Sequence, residues 1–282
     1  MFKVVLNERL NPQTVKMTVD APRVAAKARP GQFVIIRADE YGERIPLTIA
    51  GSDPASGNVT VIFQTVGAST MKIAAKNEGE YLADFVGPLG RASELDGYKK
   101  VAVVGGGLGC AIAYPQAKYL ASVGTKVDII AGFRTKDLII LEKEMRECGQ
   151  LYIMTDDGSN GNKGLVTDAL RKLIEDGADY DLVITIGPPI MMKFVCLLTK
   201  EYGIKTVVSM NPIMIDGTGM CGGCRVSVGG ETKFACVDGP DFDGHLVDFD
   251  LLMMRNNSYR AEENTARDHA CNLLKQGEEN NA

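Results

Sequence analysis

Residues 100–113 read KVAVVGGGLGCAIA: an unbroken apolar run, a glycine-rich turn at Gly105-Gly106-Gly107-Leu108-Gly109, and a helical pattern that continues to Val123. A short run without polar alternation belongs to a strand buried on both faces, as in parallel sheets covered by helices. KVDIIAGF at 126–133 supplies a second such strand, so 100–133 forms one βαβ unit. The alternation continues outward with a helix over 136–148, strand LYIMTDD (151–157), a helix over 164–175, strand DLVITIG (181–187), a helix over 191–202 and strand KTVVSM (205–210). About five parallel strands with covering helices predict a Rossmann-like nucleotide-binding α/β domain over 98–210.

N-terminal to that unit, residues 1–97 read as short period-2 strands separated by turn residues: FKVVLNE, TVKMTVD, GQFVIIRAD, RIPLTIA and NVTVIFQTV. They predict a small antiparallel β-barrel with one helical interruption near 70–76. C-terminal to the α/β domain, 211–250 is loop-rich and dense in Gly and Cys, with one hairpin (RVSVGGETKFAC) turning at Gly229-Gly230. Such a segment takes its order from a bound metal or from docking on its neighbours. Residues 251–282 read as a charged helix with a frayed tail. The fold class is therefore β + α/β: an antiparallel barrel, a Rossmann-like parallel-sheet domain and a small cysteine-rich subdomain.

The 282 residues, 45% hydrophobic and 24% charged, suit about two domains of ordinary size, and a formal net charge of −5 lacks the basic footprint of nucleic-acid binding or of anionic lipid surfaces. The charged start MFKVVLNERL and the lack of any apolar stretch of about 18 residues lead us to expect a cytoplasmic chain with no membrane span. Seven cysteines are an odd number in a chain too long to need staples, so a disulfide framework is not expected. With only two histidines, and neither a G-x-S-x-G elbow nor an H-E-x-x-H helix, hydrolase chemistry is short of parts.

Two constellations carry chemistry. The turn Gly105, Gly106, Gly107, Leu108, Gly109 lies between strand and helix, where backbone N–H groups and a helix N-terminus can approach a pyrophosphate; a tight turn without a ligand is the alternative. Cys110 holds the last place of the G-x-G-x-x-G fingerprint, and Arg134 follows the next strand where an acid would favour NAD and an arginine NADP. The second is Asp216-x4-Cys221-x2-Cys224-x11-Cys236, the plant-type two-iron spacing with aspartate in the first place. Gly217, Gly219, Gly222 and Gly223 leave the loop free of side-chain bulk, so N–H groups can turn toward inorganic sulfide. A tetrahedral zinc or a redox dithiol are the alternatives. The barrel segment Arg44-Ile45-Pro46-Leu47-Thr48-Ile49, with Gly67-Ala68-Ser69-Thr70 at a helix start, offers a cation, a hydroxyl and a second anion-ready turn, or equally a surface arginine and an ordinary cap.

PGQFV (30–34), RIPLTIA (44–50), VGAST (66–70), GPLG (87–90), VVGGGLG (103–109), TDDGSNG (155–161) and GPPIMM (187–192), with the cysteine loop, resemble the iron–sulfur flavoprotein branch of the ferredoxin–NADP reductase superfamily over residues 1 to about 250. That branch includes the small subunits of NADH-dependent ferredoxin:NADP oxidoreductases and of sulfide dehydrogenases, and the electron-transfer subunits of dihydroorotate dehydrogenases. The resemblance implies that the barrel (1–97) holds FAD through Arg44, Pro46, Leu47 and Thr48, with Gly67, Ala68, Ser69 and Thr70 at its pyrophosphate. Arg44 stands four residues before Thr48 where the family pattern has three. NAD(H), or NADP(H), is expected at Gly105 to Gly109, Arg134, Asp157, Gly187 and Pro188, and a 2Fe-2S cluster on Asp216, Cys221, Cys224 and Cys236 in subdomain 211–250. The aspartate resembles the ferredoxin:NADP and sulfide dehydrogenase subunits; the dihydroorotate-associated cluster carries four cysteines. The implied activity is NAD(P)H-dependent electron transfer from hydride to single electrons with no catalytic side-chain base, within a complex that can bifurcate electrons. The implied partners are a larger subunit with flavin and four-iron clusters, and ferredoxin. A zinc-stabilised scaffold subunit is the non-enzymatic alternative.

Overall fold

The computed structural model describes residues 1–279, and the side chains of residues 1–269. The period-2 segments of 1–97 form a seven-stranded antiparallel sheet, made of β1 (Phe2–Asn11), β2 (Thr14–Asp20), β3 (Phe33–Arg37), β4 (Ile45–Asp53), β5 (Asn58–Gln64), β6 (Tyr81–Leu82) and β7 (Asp84–Leu89) in the order β6-β1-β2-β5-β4-β3-β7. Two short helices interrupt it, α1 (Pro22–Ala25) and α2 (Ala68–Ala74). Period-2 alternation sends Val15, Met17, Val19, Val34, Ile36, Ile49, Val59, Val61 and Phe63 into one barrel core.

The nucleotide-binding half contains β8 (Lys100–Gly106), α3 (Gly109–Ser122), β9 (Lys126–Phe133), α4 (Glu142–Arg146), β10 (Gln150–Thr155), α5 (Val166–Glu175), β11 (Leu182–Ile186), α6 (Pro189–Glu201) and β12 (Thr206–Ser209). The five strands are parallel in the order β10-β9-β8-β11-β12. Order reverses between β8 and β11, so the crevice outside their carboxyl ends is the topological switch point. The helix expected over 136–148 is instead a 3₁₀ turn at Lys136–Leu138 followed by α4. Ile140 and Leu141 are both buried in the core, and Leu141 adopts a left-handed φ of 54°, which a continuous helix cannot accommodate.

The C-terminal part forms the hairpin β13 (Arg225–Val228) and β14 (Glu231–Phe234), β15 (Asp241–Asp243), and the helices α7 (Phe249–Asn256) and α8 (Arg260–Glu279). Two helices replace the one expected from 251; Asp248 caps the first, accepting from Leu251 N at 2.9 Å. The expected frayed tail at 280–282 lies outside the described residues. β15 pairs antiparallel with β12, so a strand from the cysteine-rich segment becomes the sixth of the nucleotide-domain sheet. No helix among the described residues is long and apolar enough to cross a membrane.

Barrel and α/β half share buried surface. Ala50 and Ile62 of the barrel lie in the same core as Ala111, Ala117 and Leu120 of α3 and Val101 and Val103 of β8. Leu120 is fully buried there, so Leu120→Ala should cost about 2–5 kcal/mol from lost transfer energy and the cavity left behind. Because the core is shared, urea denaturation followed by tyrosine fluorescence and by far-ultraviolet circular dichroism should show both halves unfolding together at the lower midpoint.

Candidate functional site

The expected residues fall in three groups, at the sheet's carboxyl edge, on the barrel and in the cysteine loop. At the switch point, the turn after β8 meets the turn after β11. A Cβ on Gly109 would strike the Ile186 carbonyl, and one on Gly187 would come within 3.1 Å of Gly106 N and Cα, so bare backbone is required on both sides. Gly107 N donates to Gly132 O at 2.8 Å, fixing the turn against β9. Arg134 and Asp157, from the ends of β9 and β10, also meet, Asp157 N donating to Arg134 O at 3.4 Å. The Ser159 hydroxyl and N–H hold the Asp157 carboxyl below the usual carboxylate range. Gly105 to Gly109, Arg134, Asp157 and Gly187-Pro188 therefore share one carboxyl edge of the sheet. Met191, which the sequence reading did not single out, packs across Gly106 and Gly187. Its place one helical turn after Pro188 was the available signal.

On the barrel, β3 and β4 pair with Phe33 opposite Thr48 and Ile35 opposite Pro46. Ile45 and Leu47 pack against the barrel core. Pro46 and Thr48 alternate to the other face. Arg44 Nη1 lies 3.5 Å from Asp84 Oδ2, which also takes Arg37 Nε at 2.8 Å. At the turn before α2, Thr70 Oγ1 accepts from Gly67 N at 3.1 Å and donates to Gly67 O at 2.9 Å, while Ser69 Oγ donates to Glu43 Oε2 at 2.6 Å. Ala68 opens the helix between them. Glu43 is the neighbour that sequence reasoning missed, and no periodicity signalled it.

The cysteine loop packs on the outer face of β3. Phe33 and Ile35 form a buried cluster with Cys224, Ala235 and Cys236. The Cys224 and Cys236 sulfurs are 3.2 Å apart, Cys224 donating. Burial, and then the Cys224 thiol beside it, push the Cys236 thiol up, with the Gly219 N–H opposing. Cys221 is exposed, and the N–H groups of Gly223, Asp216 and Ile215 pull its thiol below the usual value. Asp216 Oδ2 accepts from Thr218 Oγ1, from Thr218 N at 3.0 Å and from Met220 N at 3.3 Å, contacts that hold its carboxyl low, with a smaller contribution from the Arg44 charge. Gly217 and Gly219, with φ of 79° and 90°, shape the turn; a Cβ on Gly217 would lie 2.9 Å from Ile35 Cδ1.

Cys224 and Cys236 are thus brought together, while Asp216 and Cys221 stand on the same loop as anion-ready donors. Among the described residues, no three of His, Cys, Asp and Glu stand close enough to hold a metal ion. The donor set fits an iron–sulfur group nonetheless: thiols in contact, a hard carboxylate, and N–H groups already aimed at sulfur. The remaining cysteines with described side chains, Cys110, Cys148 and Cys196, are buried elsewhere.

Residues 211–248 match the sequence family described as the iron–sulfur cluster binding domain of dihydroorotate dehydrogenase B. The chain is 54% identical over 276 residues to an uncharacterized protein in the adh 3′ region of Clostridium beijerinckii, with 95% of this chain and 93% of that protein covered. It is 46% identical over 261 residues to a dihydroorotate dehydrogenase B (NAD(+)) electron transfer subunit homolog of Thermotoga maritima, covering 93% and 92% of the two chains. Among solved structures, it is similar to an NADH-dependent reduced ferredoxin-NADP oxidoreductase studied for flavin-based electron bifurcation. There the TM-score is 0.91 at 44% identity, with 95% of this chain and 97% of that one covered.

The thiol environments predict an order of reactivity in metal-free chain. Cys221, exposed and with a lowered pKa, holds more thiolate at a given pH than a free cysteine, so its alkylation should extend to lower pH. Cys110 and Cys196, pushed up to about 12 by burial, should stay unlabelled. An iodoacetamide time course with peptide mass mapping checks this; labelling of Cys110 as fast as Cys221 would contradict it.

Proposed function

The chain belongs to the family of dihydroorotate dehydrogenase B electron-transfer subunits and their homologues, within the ferredoxin–NADP reductase superfamily, and from that premise we propose that it is the small subunit of an NADH-dependent ferredoxin:NADP oxidoreductase. The observation that carries this reading is the 0.91 TM-score at 44% identity over nearly the whole of both chains. The aspartate at the first cluster position supports it over the dihydroorotate reading, which the match at 211–248 favours.

In this role Gly105 to Gly109 and the N-terminus of α3 would hold the pyrophosphate of the nicotinamide dinucleotide, with the Gly187-Pro188 turn bordering the same crevice. Arg44, Pro46, Leu47, Thr48 and the 67–70 turn would hold FAD, and Asp216, Cys221, Cys224 and Cys236 would hold the 2Fe-2S cluster. When bound, the flavin and the cluster together supply the conversion of a two-electron hydride donor into single-electron steps. The chain contributes placement: bare glycine backbone where the dinucleotide lies, a cation and a hydroxyl on the barrel face, and an apolar floor under two of the cluster cysteines that excludes water. No side chain needs to act as a general base. The exposed rim at Met220 and Cys221 is where a larger subunit receives electrons, and ferredoxin is the acceptor of the complex.

By family resemblance NADH should reduce the flavin faster than NADPH, the Asp157 carboxylate opposing a 2′-phosphate that the neighbouring Arg134 would attract. Stopped-flow bleaching with both donors decides this, and a clear NADPH preference would refute the assignment. A second series tests the ligand set. Asp216→Asn keeps an oxygen acceptor for the Thr218 and Met220 N–H groups but removes the anionic donor. It should lose or destabilise the cluster, whereas Asp216→Cys should keep it with an altered EPR line shape. Full iron content and an unchanged EPR signal in Asp216→Asn would show that Asp216 only braces its loop. If addition of dihydroorotate to the intact complex reduces the flavin, the dihydroorotate reading replaces the ferredoxin one.

A further inference from the structure

Four side chains from separate elements meet where the barrel, the nucleotide domain and the cysteine-rich segment join. Ser93, in the linker between β7 and β8, donates from Oγ to Asp241 Oδ2 of β15 at 2.6 Å. Gln116 of α3 donates from Nε2 to Ser93 Oγ at 3.0 Å, and Ser209 of β12 stands opposite Asp241 in the strand pair, its hydroxyl favouring the ionised carboxyl. Ser93 N is bound to Pro30 O at 2.9 Å, and Gly31, with φ +86°, lies so close that a Cβ would collide with Ser93 Oγ. Gln116 is fully buried. Its Oε1 and Asp241 Oδ1 are both buried without a hydrogen-bond partner among the described residues.

Among the described residues, no cation is paired with the carboxyl. The side chains facing it are Ser93 from the linker, Gln116 from α3 and Ser209 from β12, none of them titratable, and Pro30-Gly31 add only backbone. Of the charged linker residues, Arg91 directs its Nε to Val237 O at 3.1 Å and Glu94 is exposed. An ionised carboxylate here would be a buried charge held by hydroxyls alone, the arrangement that proteins avoid by neutralising the group. One proton on Oδ1 removes the charge and turns an orphaned acceptor into a donor.

We propose that Asp241 carries a proton at neutral pH, and that the Asp241–Ser93–Gln116 contact is a proton-binding site that locks the cysteine-rich segment onto the other two domains. Burial pushes this carboxyl above its ordinary value of 3.8, the Ser93 and Ser209 hydroxyls opposing. Between the unfolded and folded values the native state holds a proton that the unfolded chain has released, so this contribution to stability is full below the unfolded value and is lost as pH rises through the folded one.

The test uses the full-length chain in its complex with the partner subunit, cofactors in place. Infrared spectra at pH 7 with ¹³C-labelled aspartate should show the carbonyl band of a protonated, buried acid. Asp241→Asn should remove that band, and Ser93→Ala, which deletes one hydroxyl donor but keeps the acid, should shift it. Thermal midpoints should fall with rising pH more steeply in wild type than in Asp241→Asn. Absence of the band in wild type, or a band unmoved in Ser93→Ala, overturns the proposal, and this readout stands even if Asp241→Asn fails to fold. Because none of these readouts depends on which electron acceptor the complex uses, the proposal can fail while the assigned function stands.

Discussion

Strand β3 is the constraint on which the other parts depend. Its alternate side chains serve two cores at once: Val34 and Ile36 fill the barrel, while Phe33 and Ile35 face outward and bury Cys224 and Cys236. A slip of one residue would exchange the two sets and expose both. The pairing of β3 with β4 and β7 prevents that slip and carries Pro46 and Thr48 to a face near the cysteine loop. Gly217 completes the fit, since only a residue without a side chain can lie that close to Ile35.

The second tie is between barrel and sheet. Ala50 and Ile62 enter the core beneath α3, fixing the barrel against the helix whose N-terminus borders the switch point. The candidate dinucleotide, flavin and cluster positions are therefore set on one packed frame. That suits a chain whose chemistry lies in the order and spacing of its groups. The local electrostatics agree: backbone N–H groups converge on the Cys221 sulfur and the Asp216 carboxylate, as an anionic cluster requires.

Much of this was legible in the sequence. VAVVG and its glycine turn specified a buried parallel strand followed by a helix, and period-2 alternation placed β1 to β5 but not β6 or β7. The glycines of 105–109 and 187 could be grouped only by motif, since nothing local says that two turns 80 residues apart face each other; strand order does. The helix expected at 136–148 failed because Ile140 and Leu141 are drawn into the core from a turn. β15 and the buried contact of Ser93, Gln116 and Asp241 were invisible for a different reason. They arise from long-range pairing of a short, polar segment that carries no periodic signal.

The central claim is that this chain holds a flavin and an iron–sulfur cluster on the frame built by β3. Its most direct test is a visible absorption spectrum of the purified chain, with flavin, iron, acid-labile sulfide and zinc determined on the same sample. The account predicts flavin absorption at about one flavin per chain, with iron and sulfide in equal amounts. A colourless protein containing zinc alone would contradict it.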